Sequence, residues 1–132
     1  MTGVAPEVMR SVKAEKSQPM QSLIAAGIPL VLSSDEDGPS NPFLEILLAT
    51  KHPNHPSEAI SRTQAVIAYT LTAAYAEFAE KDKGSLTPGK LADLSVLSQD
   101  IFTVPSDDLP KTVSVMTMVG GTVIYARQPF LR

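Results

Sequence analysis

The sequence has 132 residues, enough for one folded domain with a core of its own, and its 43% hydrophobic and 19% charged residues exclude a disordered composition. A formal net charge of −3 excludes the clustered positive charge on which binding to a phosphate backbone rests, so no nucleic-acid partner is expected. Because the sequence has no cysteine, disulfides, thiolate nucleophiles and cysteine-ligated zinc are excluded, and a cytoplasmic location is expected.

No segment of the sequence predicts membrane insertion or secretion. The longest apolar run, 23–32, is interrupted by Gly27 and Pro29 and is far shorter than the ~20 residues of a membrane-spanning helix. Residues 1–16 mix acidic and basic side chains without an apolar stretch, which predicts a poorly ordered segment rather than a signal peptide. We therefore expect no membrane partner.

A short helix and a buried strand open the predicted fold. Pro19 suits a first helical turn and Gly27 suits the position after the last one, which predicts a helix over 19–26. Residues 28–33 are apolar without polar alternation, a pattern typical of a parallel strand that is covered on both faces and paired on both sides. This strand leads into Asp35.

Asp35 is the principal candidate for chemistry. A side chain at the carboxyl end of a parallel strand lies at the rim where the catalytic groups of a closed barrel converge. The residues leave a second interpretation open, because the acidic run Asp35, Glu36 and Asp37 before Gly38 also suits a turn or a helix cap. Glu36 and Asp37 also place like charge beside the candidate carboxylate.

The next predicted helix is followed by a loop that contains both histidines. Asn41 as cap and Pro42 at the first position predict a helix over about 42–50. His52 and His55 are interpreted as exposed loop side chains, with metal ligation or substrate contact at the rim as the alternative. Asn41 has a similar alternative, a contact with substrate, although capping accounts for it sufficiently.

A longer helix is predicted over about 62–81. Ser61 and Gln64 have the spacing of a capping box. An apolar stripe follows at helical spacing, and we expect this stripe to be buried. Its members are Val66, Ile67, Tyr69, Leu71, Ala74, Tyr75 and Phe78.

Strands are predicted after Gly84. Pro88 and Gly89 suit a type II turn. The predicted strands span 92–97, 113–119 and 122–125. Gly120 and Gly121 separate the last two and predict a hairpin, because glycine adopts a positive φ freely.

Two of these segments carry a resemblance to a known enzyme family. They read Gly84-Ser85-Leu86-Thr87-Pro88-Gly89-Lys90-Leu91-Ala92-Asp93-Leu94 and Val119-Gly120-Gly121-Thr122-Val123-Ile124-Tyr125. Together they resemble the C-terminal end of the metal-dependent amidohydrolases, most closely the amidohydrolase 3 group. Residues 27–35 resemble the last barrel strand of that family with its catalytic aspartate, and residues 65–74 resemble the helix that leads to its second domain.

The resemblance implies an α/β fold with the last βα units of a TIM-like (β/α)8 barrel, incomplete in this chain, followed by part of a small β-sandwich. Residues 17–83 would form the barrel portion, residues 84–126 the sandwich portion and residues 127–132 a tail. The resemblance also implies that Asp35 ligates zinc or another divalent metal and acts as general base towards a small-molecule amide substrate. The bond cleaved would be a carbon–nitrogen bond other than a peptide bond.

The sequence departs from the family pattern in its metal ligands. The His-x-His motif and further ligands of the family belong to earlier strands, whereas this sequence has only His52 and His55, at another spacing. One carboxylate does not make a zinc site, which takes about three protein ligands. We therefore expect the chain alone to bind no metal and to be inactive. The expected partner is a chain that supplies the missing barrel strands, or further copies of this chain in a homo-oligomer. The alternative is a non-catalytic remnant or a self-associating module.

Overall fold

The computed structural model describes residues 18–34 and 40–128, which form an α/β arrangement as predicted. The helices are α1 (Met20–Ala25), α2 (Pro42–Lys51), α3 (Arg62–Tyr69) and α4 (Leu71–Ala76). The strands are β1 (Leu94–Leu97), β2 (Ser114–Val119) and β3 (Thr122–Ala126), and 3-10 turns span Pro56–Glu58 and Ser106–Lys111. The predicted segment 1–16 and residues 129–132 of the predicted tail lie outside the described residues.

The predicted helix starts of α2 and α3 are confirmed by their capping bonds. The Asn41 side-chain oxygen accepts from the backbone N–H groups of Phe43 and Leu44 at 3.0 and 3.1 Å. Ser61 and Gln64 form both bonds of the capping box. These bonds satisfy N–H groups that have no partner inside a helix, so each helix begins where its sequence signal stands.

Residues 28–34 differ from the predicted strand. Among the described residues they have no paired strand, and they carry no regular secondary structure. The segment is nevertheless tied to the helices, because Leu32 N–H donates to the carbonyl of Ala68 at 3.2 Å. A strand needs a hydrogen-bonded neighbour on at least one side, so an apolar run alone does not make one.

The predicted helix over 62–81 is divided and shorter than expected. Thr70, with φ −124° and ψ −79°, interrupts the helical backbone between α3 and α4. Its hydroxyl donates to the carbonyl of Val66 at 2.7 Å, the kind of bond by which threonine competes with helical hydrogen bonding. The second helix ends at Ala76, because Phe78 adopts a left-handed φ of 59°.

The predicted burial of the long apolar stripe is wrong for four of its members. Tyr69 packs against the core, but Ile67, Leu71, Tyr75 and Phe78 are exposed. A helical stripe is buried only where another element covers it, and none of the described elements covers this one.

The three strands form an antiparallel sheet in the order β1-β2-β3, and the predicted hairpin is confirmed by the pairing of Val119 with Thr122 around Gly120 and Gly121. The Asp93 carboxylate accepts from Gly120 N–H at 2.7 Å and fixes the turn. The predicted type II turn is also confirmed. Its Lys90 N–H donates to the Thr87 carbonyl at 3.2 Å, and Gly89 has a φ of 94°.

The core lies between the helices and the turn that precedes β2. Its buried residues are Met20, Ile46, Ala49, Ile60, Ala65, Ile101 and Leu109. Arg62 holds the loop beside them, since its guanidinium donates to the carbonyls of Ile101 and Val104 at 3.0 and 2.6 Å and to the Ser106 hydroxyl at 3.1 Å. Within the described residues, no helix is long and apolar enough to cross a membrane.

Gly84 brings the chain that leads to the sheet against α4. A Cβ built at this position would lie 2.7 Å from the Ala74 Cβ and 3.1 Å from the Thr70 carbonyl oxygen, and its φ is 88°. Gly89 has a comparable φ of 94° but nothing within 4 Å of such a Cβ. A comparison of substitutions at these two glycines therefore separates the cost of backbone strain from the cost of steric contact.

We predict that Gly84→Ala lowers the free energy of unfolding by about 2–5 kcal/mol, because it adds overpacking to left-handed strain. Gly89→Ala, which adds strain alone, should cost about 1–2 kcal/mol. Urea unfolding of both variants beside the unchanged chain measures the difference. Equal losses in the two variants would show that the contact with α4 does not matter.

Glu58 ties the start of α1 to the first 3-10 turn. Its carboxylate accepts from the hydroxyl of Ser22 at 2.5 Å and from the backbone N–H of Ser22 at 2.8 Å. These bonds hold the pKa of the Glu58 carboxyl below its usual value. A carboxyl with a lowered pKa stabilises the fold above its unfolded-state pKa, and that contribution is lost as the pH falls through the folded-state pKa.

We predict that Glu58→Gln makes the free energy of unfolding less dependent on pH in the acidic range below the usual pKa of about 4.5. Urea unfolding at a series of pH values from neutral to acidic measures this slope. Ser22→Ala, which removes one bond and keeps the carboxylate, should give an intermediate slope. Identical slopes in all three proteins would contradict the assignment.

Candidate functional site

Asp35 lies outside the described residues, and the structure describes the segment that leads to it. Leu30 and Leu32 pack against the core, while Ser33 and Ser34 are exposed. The bond from Leu32 to α3 holds the segment three residues before Asp35. The predicted catalytic and metal-ligand roles of Asp35 stay predictions.

Asn41 has a structural role that occupies both ends of its side-chain amide. Its oxygen caps α2, and its Nδ2 donates to the carbonyl of Pro110 at 2.8 Å. The capping interpretation is confirmed, and α2 is thereby attached to the turn before β2. A contact between Asn41 and substrate stays a prediction.

His52 is buried, so its interpretation as an exposed side chain is wrong. It is 3% exposed and stands at the end of α2 in a left-handed conformation with φ 39°. Its Nε2 lies 3.0 Å from the Gln18 carbonyl oxygen. Since a carbonyl only accepts, Nε2 carries the proton in this bond. The chain just before α1 covers the ring, an arrangement between distant residues that a loop composition does not reveal.

His55 lies beside His52, so the structure brings the two predicted rim residues together. Their ring centroids are 6.2 Å apart in an edge-to-face arrangement. His55 is half-buried, and its Nδ1 is 3.4 Å from the Ser57 hydroxyl. His52 Nδ1 and His55 Nε2 are buried and have no hydrogen-bond partner in the described part of the chain.

A cleft of about 320 Å³ lies between the segment before Asp35 and helices α2 and α3. Its polar lining residues are Gln18, Ser33, Glu45, His52, Asn54 and Tyr69, and the Tyr69 hydroxyl donates to the Glu45 carboxylate. Sequence reasoning did not single out Glu45 and placed Tyr69 only in packing. Because Glu45 and Tyr69 lie on different helices, no local spacing in the sequence could reveal their contact.

A larger cavity of about 840 Å³ lies between the helices and the sheet. Phe43 and Ile46 of α2, Ala73 of α4, Leu94 of β1 and Met118 of β2 contribute to its apolar lining. None of residues 18–34, the described part of the chain before Asp35, borders it. The helical and sheet halves of the chain are thus in contact without closing completely on one another.

The described residues do not fit a metal site on their own. Among residues 18–34 and 40–128, no group of three or more histidine, aspartate or glutamate side chains is close enough to hold an ion. A catalytic zinc site takes about three protein ligands. Within the described part of the chain, the two neighbouring histidines therefore have no third ligand beside them.

We predict that His52→Ala lowers the free energy of unfolding by about 2–4 kcal/mol, because it removes a buried ring and its hydrogen bond. His55→Ala should cost about 1 kcal/mol or less, since that ring is half-buried. Thermal and urea unfolding, each with and without zinc, measure both effects. A zinc-induced rise in Tm that either substitution abolishes would contradict the structural role.

Comparisons with known proteins agree over most of the chain. A sequence profile described as "Amidohydrolase family" matches residues 3–125. The "Protein LONG AFTER FAR-RED 3" of Arabidopsis thaliana is 40% identical over 124 residues, which is 88% of this chain and 21% of that protein. The "N-substituted formamide deformylase" of Arthrobacter pascens is 29% identical over 116 residues, which is 83% of this chain and 21% of that enzyme.

A solved structure has a similar fold. The crystal structure of an amidohydrolase from Thermotoga maritima matches with a TM-score of 0.70 at 20% identity, covering 96% of this chain and 30% of the crystallised one. The chain thus spans about a fifth of the length of the two curated relatives and less than a third of this structural neighbour.

Proposed function

Because the chain belongs to the amidohydrolase family, we propose that it supplies the C-terminal barrel portion and the sandwich portion of a hydrolase that cleaves non-peptide carbon–nitrogen bonds. The observation that carries the proposal is the family match over residues 3–125, which runs through Asp35 and through the segment after Gly84. In this proposal residues 17–83 belong to a (β/α)8 barrel and residues 84–126 to a β-sandwich. Both are completed by polypeptide outside this chain.

Asp35 is the proposed catalytic residue. It takes the proton of the attacking water and returns it to the leaving nitrogen, a role suited to a positioned carboxylate. The anchored segment before it supports this role, because Leu30 and Leu32 on the core and the bond from Leu32 to α3 hold its approach. Asn41, His52 and His55 are proposed to act through structure, in view of their bonds and burial.

The remaining metal ligands are proposed to come from the barrel strands that complete the site. Such a site would hold zinc or another divalent cation, with Asp35 as one ligand, and the metal would lower the pKa of its bound water. The proposed substrate is a small amide, for which the relative named as an N-substituted formamide deformylase gives a first probe. No role with nucleic acid or membranes is proposed, and the proposed location is the cytoplasm.

A second candidate function is a non-catalytic module. The large exposed apolar side chains favour it, because a chain with such a surface is suited to association whether or not a catalytic site is completed. The two curated relatives do not decide between the candidates, since one name states a reaction and the other does not.

We predict that the chain alone hydrolyses N-substituted formamides at a negligible rate with added zinc. Co-expression with the Arthrobacter enzyme, from which the matching fifth has been deleted, should restore turnover. Asp35→Asn should lower that turnover by about 10²–10⁴-fold, because the general base is lost. Release of the amine product measures all three rates.

Asp37→Asn is the matched control, since it removes an equal charge two residues further along the sequence. It should leave turnover within about threefold, as is usual for a solvated acid away from the reacting atoms. Equal rates in the Asp35→Asn and Asp37→Asn variants would exclude Asp35 as the base. A fully active isolated chain would contradict the need for completion.

A further inference from the structure

The break between α3 and α4 makes a backbone carbonyl near the end of α3 available to another part of the chain. In an unbroken helix the Ala68 carbonyl would accept from the N–H four residues later, at Thr72. Thr70 interrupts the helical backbone at this point, and the Ala68 carbonyl accepts from Leu32 N–H at 3.2 Å. The break thereby allows α3 to hold the segment before Asp35 by a backbone hydrogen bond.

The next residue of α3 holds the chain on the other side of Asp35. The Tyr69 hydroxyl donates to the carboxylate of Glu45 on α2, and both side chains are half-buried. A hydrogen bond to a carboxylate is stronger than one between neutral groups, and partial burial limits the competition from water. Ser33 borders the same cleft as Glu45 and Tyr69, so this bond lies near the residues that lead into Asp35.

Residues 33–44, which we call the Asp35 segment, are therefore attached at both ends to adjacent positions of one helix. Leu32 is bonded to Ala68, and Glu45 is bonded to Tyr69. Bringing the two ends of a flexible segment together costs conformational entropy. The two bonds supply part of that cost, and they exclude the arrangements of the segment in which its ends separate.

We propose that Tyr69 and Glu45 are positioning residues for Asp35. Their bond keeps the two ends of the Asp35 segment at a fixed separation, and the carboxylate of Asp35 is thereby held in reach of the attacking water. The inference rests on the proposed function, since it takes Asp35 to be the base, and it adds two residues that act through Asp35. A displacement of about 1 Å at a catalytic group can cost about 10²-fold in rate, so loss of this bond should be measurable in turnover.

Hydrogen exchange in the full-length chain tests the attachment. Tyr69→Phe removes the hydroxyl and keeps the ring, so the exchange rate of the Leu32 amide should rise about 3–10-fold, the equivalent of one lost hydrogen bond. The Gly120 amide, which donates to Asp93 beside the sheet, is the internal reference and should change by less than about twofold. An equal rise at both amides would show a loss of global stability alone and would overturn the proposal.

Tyr75→Phe is the matched control, because it makes the same substitution on α4 at a tyrosine that is 54% exposed and does not line the cleft. It should leave the exchange rate of the Leu32 amide unchanged. Glu45→Gln keeps an oxygen that accepts from the Tyr69 hydroxyl and should also leave this rate unchanged, whereas Glu45→Ala should raise it as Tyr69→Phe does. Equal effects of the two tyrosine substitutions, or of the two substitutions at Glu45, would contradict the proposal.

Turnover by the chain complemented with the truncated Arthrobacter enzyme tests the consequence for Asp35. Tyr69→Phe and Glu45→Ala should lower kcat about 10–100-fold and leave KM within about twofold, because the position of the base is lost while substrate binding is kept. Glu45→Gln should restore kcat to within about threefold of the unchanged chain, since the bond to Tyr69 is kept.

A rise in KM at unchanged kcat, or full activity of the Tyr69→Phe variant, would overturn the positioning role. Absence of turnover in the complemented unchanged chain would instead contradict the proposed function. In that case the exchange rates of the Leu32 amide still decide whether the bond between Tyr69 and Glu45 fixes the Asp35 segment.

Discussion

The close contact between Gly84 and α4 is the constraint on which the rest of the arrangement depends. A Cβ at Gly84 would overlap the Ala74 Cβ, so only glycine allows the chain to turn from the helices to the sheet at this distance. Further contacts between the two halves are the bonds of Arg62 to the loop 101–106, the bond of Asn41 to Pro110, and the apolar packing of Ile101 and Leu109. The cavity of about 840 Å³ lies between the helices and the sheet.

Local signals predicted the parts of the fold that are closed by local bonds. Asn41, the Ser61–Gln64 box, and the turns at Gly89 and Gly120 each form hydrogen bonds between residues a few positions apart, so their spacing in the sequence is sufficient to place them. The parts that differ depend on distant residues. Burial of His52 requires the chain at Gln18 to lie over it, and no loop pattern contains that information.

Dependence on distant residues also explains why the apolar segment before Asp35 and the apolar stripe of α3 and α4 differ from their predictions. Residues 28–33 have the composition of a buried strand, and the stripe has the composition of a buried helix face. Each composition indicates that the segment needs a neighbouring element to cover it, but it does not show that the chain contains that element. Ile28 and Val31 are 50% and 40% exposed, so the described elements do not cover this segment on both faces. The family match includes Asp35, whose role the residues alone leave open between catalysis and a turn.

The two open surfaces require partners of different kinds. The segment before Asp35 offers backbone N–H and carbonyl groups that pair in a directional ladder, so its partner must present an extended strand at a fixed register. The apolar stripe of α3 and α4 offers exposed side chains, which contribute area and shape and leave the backbone of a partner free. A partner of the segment before Asp35 would therefore use backbone groups, whereas a partner of the stripe would use side chains, and neither contact would need the groups of the other.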